Sequence, residues 1–98
     1  MFLQEESLYE KLKTELQTVE FDALKPHVDR DALIVCRPKL DIIQIAIDLA
    51  QDNVEKIKAL MASGDLKKVT KEEAEEIPMD RKYVFIIIQP FVLVQAIH

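Results

Sequence analysis

The chain has a single cysteine, a single glycine and no tryptophan. With Cys36 alone, no internal disulfide can form, and a reducing, cytoplasmic compartment is expected. With Gly64 alone, there is no glycine-rich phosphate loop and little loop-rich character. No run reaches the roughly 20 apolar residues that a membrane-spanning helix needs. No basic cluster stands out either: 13 lysines and arginines face 18 acids, for a net charge of −5. That balance argues against general binding to nucleic-acid phosphates and against docking on anionic membranes. The opening MFLQEESLYEKL lacks a basic region followed by an apolar core, so no signal peptide is expected. Paired cysteines and a histidine-x-x-x-histidine spacing are both missing, so neither a metal nor a cofactor is expected.

What is present fits one domain over 1–98. A chain of this size buries about 65% of its unfolded surface, enough for one core. Its most apolar stretch is Tyr83 to Ile97, YVFIIIQPFVLVQAI. The β-branched and aromatic content favours a pleated strand. Both strand faces are apolar, so both want cover. Fully extended, the stretch would span about 50 Å at about 3.3 Å per residue, too long for a small domain. Pro90, which cannot donate to a ladder, marks the place where it must bend or break.

Elsewhere, Ser7 and Glu10 have capping-box spacing, and Leu8, Leu12 and Leu16 share one helical face, predicting a helix over 7–18. Phe21 to Leu24 reads as one helical turn bounded by Pro26. His27 to Asp31 reads as a charged loop. ALIVC at 32–36 is a short apolar strand, and Arg37-Pro38-Lys39 is a turn. The stretch from Leu40 to Met61 carries two periods. Leu40, Ile43, Ile47, Ala50, Val54, Ile57 and Met61 repeat as in a helix; Ile43, Ile45, Ile47 and Leu49 alternate as in a strand. Four isoleucines close together, and the N-cap pattern of Asp52 and Glu55, favour a strand over 41–50 followed by a helix over 53–63. That helix should bury Val54, Ile57, Leu60 and Met61 and stop at Gly64. A strand at 66–69 and an acidic helix over 71–76, capped by Thr70 and Glu73, complete the chain before the strand 83–97. The expected fold is α+β: a mostly antiparallel sheet of three to four strands (32–36, 41–50, 66–69, 83–97), with helices (7–18, 53–63, 71–76) packed mainly on one face.

LKPHVDRDALIVCRPKLDI, DNVEKIKALMASGDLKKVT and FIIIQPFVLVQ together resemble a small bacterial family catalogued only as a domain of unknown function. The resemblance rests on Pro26, His27, Arg30, Ala32, Leu33, Leu40, Asp41, Gln89, Pro90 and Phe91 and covers roughly 24–95. It implies fold unity and a bacterial origin, and it carries no activity.

Candidate chemistry is sparse. His27 beside Asp29, Arg30 and Asp31 could act as a base or hold an anion, but a loop-closing histidine is the commoner role. Cys36 lies in an apolar strand, which suits a buried, inert thiol. Arg30, Asp31, Arg37, Asp41 and Asp48 read chiefly as ion pairs blunting strand edges. The acidic run Glu72–Glu76 reads as a solvated face, with docking of a basic protein partner as the alternative. Two functions follow. One is a non-enzymatic homo-oligomer, most simply a dimer, joined through Phe91, Val92, Leu93, Val94 and Ile97. The other is a small-anion or metabolite-binding domain, with an enzyme as its catalytic variant, whose pocket gathers around His27, Arg30, Arg37 and Gln89.

Overall fold

The computed structural model describes residues 4–97. The elements run α1 (Gln4–Glu15), β1 (Gln17–Glu20), a 3-10 turn (Phe21–Leu24), α2 (Lys25–Asp29), β2 (Leu33–Cys36) and α3 (Ile42–Ala50). Then come α4 (Val54–Ser63), β3 (Leu66–Lys68), α5 (Lys71–Glu75), β4 (Lys82–Ile88) and β5 (Phe91–Ala96). The strands form one five-stranded sheet in the order β1-β4-β5-β2-β3. It is mixed: β2 runs parallel to β5, and the other pairings are antiparallel. The α+β class holds. The sheet has more strands than the sequence predicted: 41–50 is lost from it, but 83–97 supplies two strands, and β1 (QTVE) is a polar edge strand with no hydrophobic signature.

The expected strand over 41–50 is instead the helix α3. The Asp41 side chain accepts from the Ile43 amide at 3.0 Å, satisfying an otherwise free donor of the first turn. The Tyr9 hydroxyl donates to the other Asp41 oxygen at 2.7 Å and ties α1 to this cap. Ile42, Ile43, Ile45, Ala46 and Ile47 are all buried. A strand would have put Ile43, Ile45 and Ile47 on one face and turned Ile42 to the other; the helix buries all four beneath the sheet. The chain breaks where a second helix was expected, but Asn53 rather than Asp52 holds the N-cap position, and Asp52 itself takes a left-handed φ of 56°. No residue of α4 is buried: Ile57 and Leu60 pack partly, while Val54 and Met61 are exposed, contrary to expectation. Gly64 ends α4 at φ +83°, a conformation that other residues adopt only with strain.

The stretch 83–97 is a hairpin, not one strand. Ile88 faces Phe91 across a two-residue connection, Gln89–Pro90, whose peptide bond is cis. Folding back at Pro90 resolves the excess length. Ser7 lies inside α1, which begins at Gln4, so it is not the helix cap that its spacing predicted. The segment 27–31, predicted to be a loop, is mostly α2, with Pro26 in the first turn where its missing N–H is harmless. The Thr70–Glu73 capping box is present in both directions. Lys67 together with the Thr70 contacts holds the Glu73 carboxyl well below the usual glutamate range.

Helices cover both sheet faces, not mainly one. On the first face α1, α3 and α4 pack over Ile34, Cys36, Leu66, Ile86, Ile88 and Leu93. On the second, the 3-10 turn, α2 and α5 pack over Leu33, Tyr83, Val92 and Val94 through Phe21, Leu24, Val28 and Ala74. Both apolar faces of the hairpin thus find their cover within one chain.

Candidate functional site

The cover on the second face is thinner than on the first. Strand parity puts Val35, Val94, Ala96, Tyr83 and Phe85 on this side. Val94 and Tyr83 are buried; Val35, Phe85 and Ala96 are only half-buried. Between the end of β2 and the segment entering β4 lies an open groove of about 420 Å³. Its apolar floor is Val35, Ala96 and Tyr83, with Ile77 as one wall. Arg37, Lys67 and Arg81 stand around it, and Asp65 is the only acid lining it among the described residues.

Local folding explains each position. Arg37 follows the last residue of β2, and its amide donates to the Asp65 carbonyl, so the ends of β2 and β3 stay together. The Gln95 amide donates to the carbonyls of Arg37 and Leu40, at 2.8 Å each, and pins the 37–40 turn to β5. Arg81 is fixed through its backbone carbonyl, which accepts from the Phe21 amide at 2.9 Å. The Tyr83 ring packs against Phe21, with centroids 5.9 Å apart.

The charges are unequally engaged. Asp65 lies 3.5 Å from Arg37 and 3.7 Å from Lys39. Lys67 pairs with Glu73. Arg81 takes part in no ion pair, and the Tyr83 hydroxyl in no hydrogen bond, among the described residues. Cys36 borders the groove but is 1% exposed, and burial pushes its thiol up to about 11, so it is not a thiolate nucleophile at neutral pH.

The predicted site residues do not all come together. His27 and Arg30 do meet: Arg30 donates to His27 Nδ1. Burial, and then the Arg30 charge, push the His27 pKa down, which favours the neutral ring. A ring nitrogen already accepting from arginine is poorly placed to act as a base. Arg37 lies at the far end of β2 and lines the groove, whereas Gln89 is in the hairpin connection. His27, Arg30 and Gln89 do not line the groove, so the four residues do not converge there. Of the interface residues expected on the last strand, Val92, Leu93 and Val94 are core positions at 2%, 0% and 1% exposure. They offer no surface to a second copy. Phe91 is half-buried and Ile97 exposed; His98 lies outside the described residues.

Lys67, Arg81 and Tyr83 escaped the sequence reading. Arg37 and Arg81 both flank apolar strands, but only the antiparallel directions of β2 and β4 bring those flanks to one end of the sheet. That requires the strand order. Among the described residues no group of three or more histidine, cysteine, aspartate or glutamate side chains could hold a metal, and no helix is long and apolar enough to cross a membrane.

This is an α+β domain with a mixed five-stranded sheet between two helical layers. A family model described as "Protein of unknown function (DUF2288)" matches residues 7–96, and the chain belongs to that family. The NMR solution structure of PA1075 from Pseudomonas aeruginosa is similar, with a TM-score of 0.79 and 30% sequence identity over 100% of this chain and 92% of that one. No curated protein matches.

Proposed function

We propose that the protein is a small-ligand-binding module that takes a small organic anion in the groove between Arg37 and Arg81. The observation that carries this reading is the lining: three cations and one carboxylate over an apolar floor, in a chain of net charge −5. Arg37 and Arg81 offer planar donors suited to carboxylate or phosphate. Tyr83 adds a hydroxyl beside an apolar surface fit for the ligand's body. The free, uncharged Cys36 thiol suits a reducing cytoplasm. The test is a thermal-shift screen with inorganic phosphate, benzoate and nucleoside monophosphates. A ligand at 100 times its Kd should add about 2.7 kcal/mol, and Arg37→Ala with Arg81→Ala should abolish that gain. Absence of a shift with all three probes, or an unchanged shift in the double variant, contradicts the reading.

A second reading, a two-copy assembly, is favoured by one observation. Among the described residues β1 pairs only with Lys82–Phe85, so β4 outruns its neighbour, and there Ile87 is 49% exposed. An unpaired apolar edge is a template for another strand. If two copies join there, light scattering behind a sizing column shows a dimer that Ile87→Lys converts to monomer. A monomer in the unsubstituted chain ends this reading.

A further inference from the structure

On the opposite face, where α3 passes into α4, one carboxylate is out of place. Asp48 is 4% exposed, the only buried polar or charged residue among those described. It sits in the last turn of α3, where the helix dipole disfavours an acid. Its Oδ2 is sealed from solvent, and among the described residues one group meets it: the Lys56 ammonium, on a half-exposed side chain of α4, 3.1 Å away. Burying a carboxylate this deeply is costly unless a cation and hydrogen-bond donors compensate, and one half-exposed lysine is the whole of that compensation at Oδ2 among the described residues.

Asp48 also borders a cavity of about 160 Å³. Its apolar walls include Leu49, Val54, Ile57 and Phe91, and Asp52 and Lys58 lie at its edge. Val54 is 46% exposed there, although it opens a helix that should bury it. The lining carries two acids and one lysine. The Phe91 ring already accepts a cation on one side, with Lys68 Nζ 5.8 Å from its centroid.

We propose that this cavity binds a small organic ammonium ion. Its N–H groups donate to Asp48 Oδ2, and its apolar body lies against Val54, Ile57 and Phe91. Lys56 is the internal substitute that a ligand ammonium displaces. The site is separate from the groove at Arg37 and Arg81 and does not depend on that proposal.

The test is an amide NMR titration of the full chain with butylammonium, with butyrate and butanol as comparators. Butylammonium should give saturable shifts at Leu49, Val54, Ile57 and Phe91. Butyrate should give none, and butanol should bind at least tenfold more weakly. Asp48→Asn should weaken butylammonium at least tenfold, and Lys56→Met should tighten it. An equal response to the three probes, an unaltered Kd in folded Asp48→Asn, or no saturable shift in either the natural chain or Lys56→Met overturns the proposal. If Asp48→Asn fails to fold, Lys56→Met decides: an unchanged Kd overturns it. Nα-acetyl-lysine methylamide tells the sources apart. Binding as tight as that of butylammonium supports a lysine of a protein ligand, and much weaker binding supports a free amine.

Discussion

The two faces of the sheet are made from the same strands yet are covered differently. The first face receives three helices, α1, α3 and α4, and its central residues Ile34, Ile86 and Leu93 are sealed. The second receives a 3-10 turn and two five-residue helices, α2 and α5. Those short elements reach Leu33, Val92 and Val94 but leave Val35, Phe85 and Ala96 half-exposed and Ile87 exposed. Alternation along β4 and β5 supplies each face with a similar row of apolar side chains. The difference therefore lies in the cover: the face with short helices retains a groove, and cations flanking the strands surround it. Both faces hold sealed core residues, and the groove ringed by cations lies on the second.

Substitutions can break this comparison. The largest effect belongs to Leu93→Ala, at 0% exposure in the centre of the first face. It should cost about 2–5 kcal/mol, read as a lower denaturation midpoint in urea. On the second face Ile87→Lys should change stability by no more than about 0.5 kcal/mol, as for an exposed position. A large loss there would mean that the second face is sealed in solution. Asp41→Ala comes next. It removes the cap of α3 and the partner of the Tyr9 hydroxyl, and should cost about 1 kcal/mol. A neutral result would mean that α3 is held by burial alone.

How much of this was legible depends on what kind of signal each segment carries. Helix α5 announced itself through Thr70 and Glu73, and α4 through Gly64, because those devices are local. The hairpin was half-legible: its β-branched residues specify strands, and Pro90 marks the break, but not that the chain folds back. Segment 42–50 misled because isoleucine is a good strand former whose preference burial overrides. Asp41 and the three- and four-residue spacing were the better guides, since one helical face of isoleucines can fill the space beneath a sheet. β1 carried no pattern at all; it exists because β4 offers it an edge. The groove was illegible for a related reason. Arg37, Lys67 and Arg81 are far apart in sequence, and only the strand order brings them together. His27, Arg30, Arg37 and Gln89 were grouped by residue type; the parallel pairing of β2 with β5 puts the first two and Gln89 at one end of the sheet and Arg37 at the other.

The most direct test of the account is chemical-shift mapping with whichever anion stabilises the protein most. The account predicts saturable shifts concentrated at Val35, Lys67, Ile77, Arg81, Tyr83 and Ala96, lost when Arg37 and Arg81 are both replaced by alanine. Shifts centred instead on α2, around His27 and Arg30, or no saturable shift with any anion, would contradict it.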